Sequence, residues 1–223
     1  IIRLYDKDFI RIDPTGKASA MFKAIPSELT RNSSRYQVAS VTENGRANRL
    51  LETITNMGES MVVNMAYHAN DPGPGMAFHK DTSTFKMFVG DTGLFVTLAF
   101  WDKEFTDNVI YQKLLTDKLS KDLGYVYENV VAQMLVASGN ELYYHTFPTE
   151  SGKHRYEVDF LIPDGDKVVP IEVKSSGYKA HVSLDAFCTK FSSRVSRPYL
   201  IYTKDLRKEG NLLYLPVYMT MFL

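Results

Sequence analysis

The chain has 223 residues, 44% of them hydrophobic, which is enough for one large domain or two small ones. Its 26 basic and 26 acidic residues cancel, so no overall charge attracts it to nucleic acid or to an anionic membrane, and any nucleic-acid-binding surface must be local. The only cysteine, Cys188, excludes an internal disulfide framework and a cysteine-based zinc cluster, and it favours a reducing setting.

The N-terminus and the most apolar stretch bear on the cellular location of the protein. Residues 1–6 lack a basic region followed by an apolar core, so they are not expected to be a signal peptide, and they read as the interior of a longer protein. Residues 85–101 are interrupted by Lys86 and Asp91 and are too short and too polar to cross a bilayer. We therefore expect a cytoplasmic protein that does not contact a membrane.

Residues 1–112 are predicted to form a mainly helical connecting domain with one hairpin. Apolar residues recur at helical spacing in residues 18–30 and 47–57. Residues 60–69 and 84–90 read as strands on either side of a Gly- and Pro-rich turn at residues 71–75. Helices followed by a long hairpin are the order of a winged helix, which serves DNA binding and protein contacts alike.

Two features look like ligand sites only superficially. Residues 13–17 resemble part of a P-loop, but Arg11 stands where the first glycine belongs and Ala18 follows Lys17, so we expect a turn and no nucleotide site. The five histidines show no paired ligand spacing and are expected to be ordinary surface or core residues. Among them, His154 and His181 are the two that we place near the path of a phosphate.

Residues 113–223 are predicted to form an α/β domain. The pattern predicts a helix that ends at residue 137, strands at residues 141–147, 155–162 and 167–174, a helix at residues 183–192 and a strand at residues 197–203. An apolar segment at residues 212–217 adds a further strand. This α-β-β-β-α-β order predicts a mixed sheet flanked by helices.

A hairpin between the second and third of these strands defines the candidate site. Asp164-Gly165 is a strong signal for a two-residue turn. If these residues centre the turn, Glu157 faces Glu172 and Asp159 faces Pro170 across the two strands. Because side chains alternate along a strand, one side of the hairpin then gathers four charged groups. These groups are Glu157, Asp159, Glu172 and Lys174.

Three carboxylates on one patch repel each other unless a cation compensates them. Mg²⁺, or Mn²⁺ in its place, prefers oxygen ligands and needs only one or two carboxylates beside a substrate phosphate. Lys174, two residues from Glu172, is suited to orienting a water and to stabilising charge on the phosphorus oxygens. Glu128, on the preceding helix, is predicted to reach the sheet edge as an outer ligand. On spacing alone, a solvated strand face explains Glu-x-Lys equally well.

Residues 124–174 resemble the C-terminal domain, formally of unknown function, that follows the ATPase module in a widespread group of prokaryotic AAA+-like ATPases. The upstream segments at residues 25–29 and 85–94 resemble the part of that group between the ATPase and the nuclease-like domain. The segments that carry the main resemblance are Gly124-Tyr125-Val126-Tyr127-Glu128-Asn129, Leu142-Tyr143-Tyr144, Glu157-Val158-Asp159-Phe160 and Pro170-Ile171-Glu172-Val173-Lys174-Ser175.

The resemblance implies a restriction-endonuclease-like fold of the PD-(D/E)xK type. It assigns Asp159 and Glu172 as metal-binding carboxylates, Lys174 as the catalytic lysine and Glu128 as the acid of the first helix. The strand alternation adds Glu157 as a neighbour that competes for the metal. Because Pro170 lacks an N–H, we expect its strand to begin or bend there.

Three functions remain open at this stage. The first is a Mg²⁺-dependent nuclease, acting on DNA in preference to RNA and coupled to an ATPase module that this chain does not contain. The second is a module of the same fold that binds nucleic acid or a partner protein without cutting. The third is a regulatory, antitoxin-like interaction domain built on residues 1–112. The complete set of carboxylates and lysine favours the first, whereas the neutral charge favours the second. Oligomeric state does not follow from the sequence.

Overall fold

A computed structural model describes residues 1–31, 34–41, 50–100 and 124–223. In this part of the chain an eight-stranded mixed sheet is flanked by helices. The helices are α1 (Ile2–Ile12), α2 (Lys17–Thr30), α3 (Leu51–Glu59), α4 (Thr92–Ala99), α5 (Gly124–Ala137) and α6 (Val182–Lys190). The strands are β1 (Val63–Ala69), β2 (Lys80–Val89), β3 (Leu142–Pro148), β4 (Arg155–Asp164), β5 (Lys167–Lys174), β6 (Tyr199–Tyr202), β7 (Arg207–Glu209) and β8 (Leu212–Pro216).

The strands lie in the order β2-β1-β3-β4-β5-β6-β8-β7. The pairs β1–β2, β3–β4, β4–β5 and β7–β8 are antiparallel, whereas β1–β3, β5–β6 and β6–β8 are parallel. The predicted α/β class is confirmed, as is the helical region with a hairpin that precedes it. From α5 to β6 the elements follow the predicted α-β-β-β-α-β order, which is compatible with a restriction-endonuclease-like core. Helix α1 and strand β7 were not predicted.

The upstream hairpin is part of the same sheet as the downstream strands. Strand β1 pairs in parallel with β3, from Ala66 opposite Leu142 to His68 opposite Tyr144. The two regions that the sequence separates therefore share backbone hydrogen bonds. The predicted boundary between residues 112 and 113 lies outside the described residues.

The two faces of the sheet have separate cores. Helix α5 covers one face, where Val131 and Leu135 pack with Tyr144, Phe160 and Ile171. Helix α6 covers the other face, where Phe187 packs with a set of buried residues that includes Tyr143, Val158 and Leu161. Because both faces are covered, six of the seven β3 residues and six of the eight β5 residues are buried. In the described ranges, the helices are not long and apolar enough to cross a membrane.

The register of the β4–β5 hairpin differs from the predicted one. Asp164 pairs with Lys167, so the two loop residues are Gly165 and Asp166, and the strands are shifted by two positions from the prediction. Gly165 has a φ of 58° and takes the first loop position, where one type of two-residue loop requires glycine. The predicted pairing of Asp159 with Pro170 is therefore wrong, because Pro170 pairs with Leu161.

Of the two predicted alternatives, that β5 begins or bends at Pro170, the first is wrong, because Pro170 lies inside the strand. On the edge of β5 that faces β6, Pro170 lies between two backbone pairings and takes part in neither. Val168 bridges to Val195, and regular pairing with β6 resumes only at Ile171. The missing N–H of proline therefore costs no hydrogen bond in this ladder.

Candidate functional site

A bulge in β4 lies next to the predicted site. Tyr143 pairs with Leu161 and His145 with Val158, so β4 has one more residue than β3 between these two pairs. A bulge bends the strand and redirects the side chains next to it. As a result, Val158 packs in the α6 core and Phe160 in the α5 core, so the regular alternation that the sequence analysis assumed along this strand is wrong at the bulge. Asp159 is the residue between them.

Asp159 lies where the β4–β5 ladder ends. The last regular pair is Phe160 with Ile171, and the next two positions are Asp159 and Glu172. Beyond that pair, the carboxylate of Asp159 accepts a hydrogen bond from the Val173 N–H at 2.8 Å. A backbone donor past the end of the ladder thus fixes the orientation of this side chain.

Glu172 and Lys174 form the second part of the site on β5. Glu172 is only 4% exposed, and its Oε1 accepts from the Lys174 ammonium at 2.6 Å. Its other oxygen, Oε2, is buried and has no hydrogen-bond partner among the described residues. A buried carboxylate oxygen without a partner is energetically costly, so this oxygen is a candidate ligand atom.

Glu128 approaches from helix α5, which Asn129 holds in place. The buried Asn129 side chain accepts from the Val89 N–H at 2.8 Å and donates to the Val89 carbonyl at 3.0 Å. This double hydrogen bond fixes the first turns of α5 against the end of β2. Glu128 is half-buried beside it.

The pKa values indicate that these groups act on one another. Burial, and then the charge of Asp159, raises the pKa of Glu172 to about 8 and that of Glu128 to about 7. Burial also raises the pKa of Asp159, although Lys86 and the Val173 N–H act in the opposite direction. Asp159 therefore acts on both Glu172 and Glu128 through its charge, while Lys174 contacts Glu172 directly, and we call these four residues the carboxylate cluster with its lysine.

Lys86 is a member of this cluster that the sequence reading missed as a site residue. It lies on β2, within the buried run from Phe85 to Val89, and is only 7% exposed. Its ammonium forms an ion pair with Glu157. A lysine among apolar strand residues was the available signal, because such a group is rarely buried without a partner.

Burial disfavours the charged form of Lys86, but the carboxylates of Glu157, Glu128 and Asp159 outweigh this effect and raise its pKa. The ring of Tyr144, 5.3 Å from the ammonium, adds a cation–π contact. Glu157, predicted as a competitor for the metal, thus has a cation partner within the protein.

The donor atoms fit a divalent ion only in part. Among the described residues, no group of three or more His, Cys, Asp or Glu side chains is arranged so that it could hold a metal ion by itself. Asp159 and Glu172 occupy neighbouring positions, however, and Glu172 offers an unpaired oxygen. Two carboxylates completed by water and phosphate oxygens are a usual arrangement for Mg²⁺.

A cavity of about 520 Å³ opens beside the cluster. Lys86, Glu128 and Glu157 line it together with residues of α2, of the segment that follows α2 and of the start of β4, whereas Asp159, Glu172 and Lys174 are not among the lining residues. The basic residues among these are Arg31, Arg35 and Arg155, and His154, one of the two histidines predicted near a phosphate, also lines the cavity. The volume is in the range of small-molecule and nucleotide sites.

Three further histidines and the P-loop-like segment have structural partners. His181 contacts Asp185 and Tyr214, away from the cluster. The rings of His68 and His145 stack at 5.4 Å, a pair that their spacing of 77 residues does not predict. Residues 13–17 form the predicted turn, in which the Asp13 carboxylate accepts from the backbone N–H groups that a P-loop would offer to phosphate.

A family model matches part of the chain. The model of a family described as a domain of unknown function (DUF4143) matches residues 123–219. The expected domain of unknown function is thereby confirmed. The match includes Glu128, Asp159, Glu172 and Lys174 and leaves out β1, β2 and Lys86. No curated protein and no solved structure matches the chain.

Proposed function

We propose that the protein is a Mg²⁺-dependent nuclease, with Mn²⁺ as an alternative ion and DNA as a more suitable substrate than RNA. The observation that carries the proposal is the clustering of Asp159, Glu172 and Lys174 at the end of the β4–β5 ladder, where one oxygen of Glu172 is buried and unpaired. Ordinary strand-surface charges are solvated and do not accumulate in this way.

Asp159 and Glu172 would hold the ion, with Glu128 as an outer ligand. When bound, the ion would polarise the phosphodiester and lower the pKa of a coordinated water. Lys174 keeps the Glu172 carboxylate in place through its 2.6 Å contact, and its remaining N–H groups are suited to orienting the attacking water and stabilising charge on the phosphorus oxygens.

The cavity supports a polyanionic substrate. Arg31, Arg35 and Arg155 line it in a chain with no net charge, although Glu28, which also lines it, forms an ion pair with Arg31 at 2.5 Å. Phosphate contacts of this kind provide affinity without sequence information. In the intact protein, the resemblance to prokaryotic AAA+-like ATPases suggests an upstream ATPase module as the partner.

A plasmid-nicking assay with Mg²⁺ or Mn²⁺ tests the proposal. We expect Asp159→Ala and Lys174→Ala to lower the cleavage rate by about 10²-fold or more. Asp164→Ala and Lys167→Ala are matched controls, because they lie on the same two strands at the turn. Cleavage that survives both site substitutions would exclude this site.

The second candidate is a binding module that does not cut. Two observations favour it: the described carboxylates do not form a ready set of metal ligands, and the Lys174 ammonium is bonded to Glu172. Tight DNA binding without cleavage at any divalent-ion concentration, measured by fluorescence anisotropy, would support this function over the first.

A further inference from the structure

Two lysine ammonium groups, one buried and one half-buried, each form an ion pair with one carboxylate of the cluster. Lys174 contacts Glu172 at 2.6 Å, and Lys86 forms an ion pair with Glu157. The two lysines come from distant elements, since Lys86 lies on β2, outside the segment that the family model matches.

Lys86 is held as a charged group inside the fold. Its side chain is 8% exposed, and a buried ammonium is tolerated only where anions compensate it. The partner Glu157 provides one negative charge, while Glu128 and Asp159 also act on Lys86. The positive charge of Lys86 therefore acts on three carboxylates of the cluster, of which Glu157 is the one that it contacts.

We propose that Lys86 is a built-in counterion that takes the place of a second divalent ion, so that the site binds a single metal. Lys86 is then a positioning residue, which acts by withdrawing Glu157 from metal binding. This inference rests on the proposed function for the ion at Asp159 and Glu172.

Charge balance supports a single ion. The four carboxylates of the cluster, Glu128, Glu157, Asp159 and Glu172, carry four negative charges when ionised. Before a substrate binds, Lys86, Lys174 and one divalent ion balance these charges, whereas a second ion would leave an excess of positive charge. In two-metal sites the ions lie about 3.5–4 Å apart, and each ion needs carboxylate ligands. The carboxylate of Glu157 is already paired with Lys86.

An ordinary structural ion pair would have different consequences. It would contribute to stability alone, so its removal would lower the stability of the fold without changing the number or affinity of bound ions. Metal binding therefore distinguishes the two roles, and cleavage activity is not needed as a readout.

The experiment counts Mn²⁺ ions on the full chain by isothermal titration calorimetry and electron paramagnetic resonance. We expect one ion in the wild type, with the six-line spectrum of an isolated Mn²⁺. Lys86→Met should bind a second ion and show spin coupling. Lys80→Met is the matched control, because Lys80 lies on the same strand but pairs with Glu141 at 3.0 Å, and it should keep one ion.

A second variant keeps the test decisive if Lys86→Met does not fold. In Glu157→Gln the Lys86 ammonium loses its partner and competes with the ion for the remaining carboxylates, so Mn²⁺ affinity should fall at least tenfold. Unchanged affinity in Glu157→Gln would overturn the inference, as would a single ion in folded Lys86→Met. Two ions in the wild type would overturn it and leave the proposed function intact. No bound ion in the wild type would overturn both.

Discussion

Asn129 links two elements from a fully buried position, through both of its hydrogen bonds to Val89. Replacement by leucine leaves the Val89 N–H and carbonyl unpaired. We expect Asn129→Leu to lower the free energy of unfolding by about 2–4 kcal/mol, measured by urea denaturation. The same exchange at Asn56, a half-buried position of α3, is the control and should have a much smaller effect. Equal losses in both variants would show that the double hydrogen bond contributes little.

The carboxylate cluster determines how stability depends on pH when no divalent ion is present. The pKa of Glu172 is raised from 4.5 to about 8, so the folded state keeps a proton that the unfolded chain has lost. The stability that comes from this proton is complete below pH 4.5 and is lost as the pH rises through 8.

His145 has the opposite dependence. Burial lowers its pKa from 6.5 to about 4, so its contribution is complete above pH 6.5 and is lost as the pH falls through 4. Above pH 6.5 this histidine no longer changes the stability, and the effect of the carboxylates can be measured separately.

Between pH 6.5 and 8.5 in a chelating buffer, the free energy of unfolding should therefore decrease, by on the order of 1–2 kcal/mol for a group such as Glu172. Glu172→Gln should flatten this decrease, whereas Glu150→Gln, at an exposed position, should not. Urea denaturation at several pH values measures the slope. A slope that is the same in all three proteins would contradict the assignment to Glu172.

At the scale of elements, Gly90 forms the junction between β2 and α4. Its N–H donates to the Val62 carbonyl at 2.7 Å, and a Cβ at this position would lie 2.7 Å from the Met61 carbonyl oxygen. Because backbone atoms cannot give way easily, we expect Gly90→Ala to destabilise the fold by about 1–3 kcal/mol. Thermal unfolding measures this loss.

Gly58→Ala is the control for Gly90→Ala. A Cβ at Gly58 would come closest to Cγ of the flexible Met65 side chain, at 3.1 Å. Alanine is also the better helix former inside α3. This variant should be unchanged or slightly more stable, and a loss equal to that of Gly90→Ala would show that the backbone contact is unimportant.

At the scale of the whole molecule, contacts between the upstream and downstream parts run through the sheet. The rings of Phe88 and Phe160 are 5.4 Å apart, Lys80 pairs with Glu141 at 3.0 Å, and β1 pairs with β3. Without β1 and β2, strand β3 would become an exposed apolar edge.

We therefore expect fragments 1–112 and 113–223 to be poorly folded when they are produced separately and to form native structure when they are produced together. Near-ultraviolet circular dichroism and size-exclusion chromatography distinguish these states. If fragment 113–223 alone gave the spectrum of a packed domain, the shared sheet would not be required for its folding.

The sequence alone determined the order of the elements from α5 to β6 and the candidate residues Glu128, Asp159, Glu172 and Lys174. Alternating and helical patterns are local, and the turn at Gly165 and the pair Glu172 and Lys174 lie within a few residues of one another. Such features predict the hairpin and the type of chemistry, because they depend on neighbouring positions only.

The tertiary structure decided the register, the bulge and the membership of the site. Gly165 took the first loop position and shifted the strands by two, and the bulge between Val158 and Leu161 broke the alternation. Lys86 and Glu157 are 71 residues apart in the chain, so no local period connects them. Their contact exists because β1 pairs with β3 and brings β2 into the same sheet, and long-range pairing of this kind is set by packing of the whole chain.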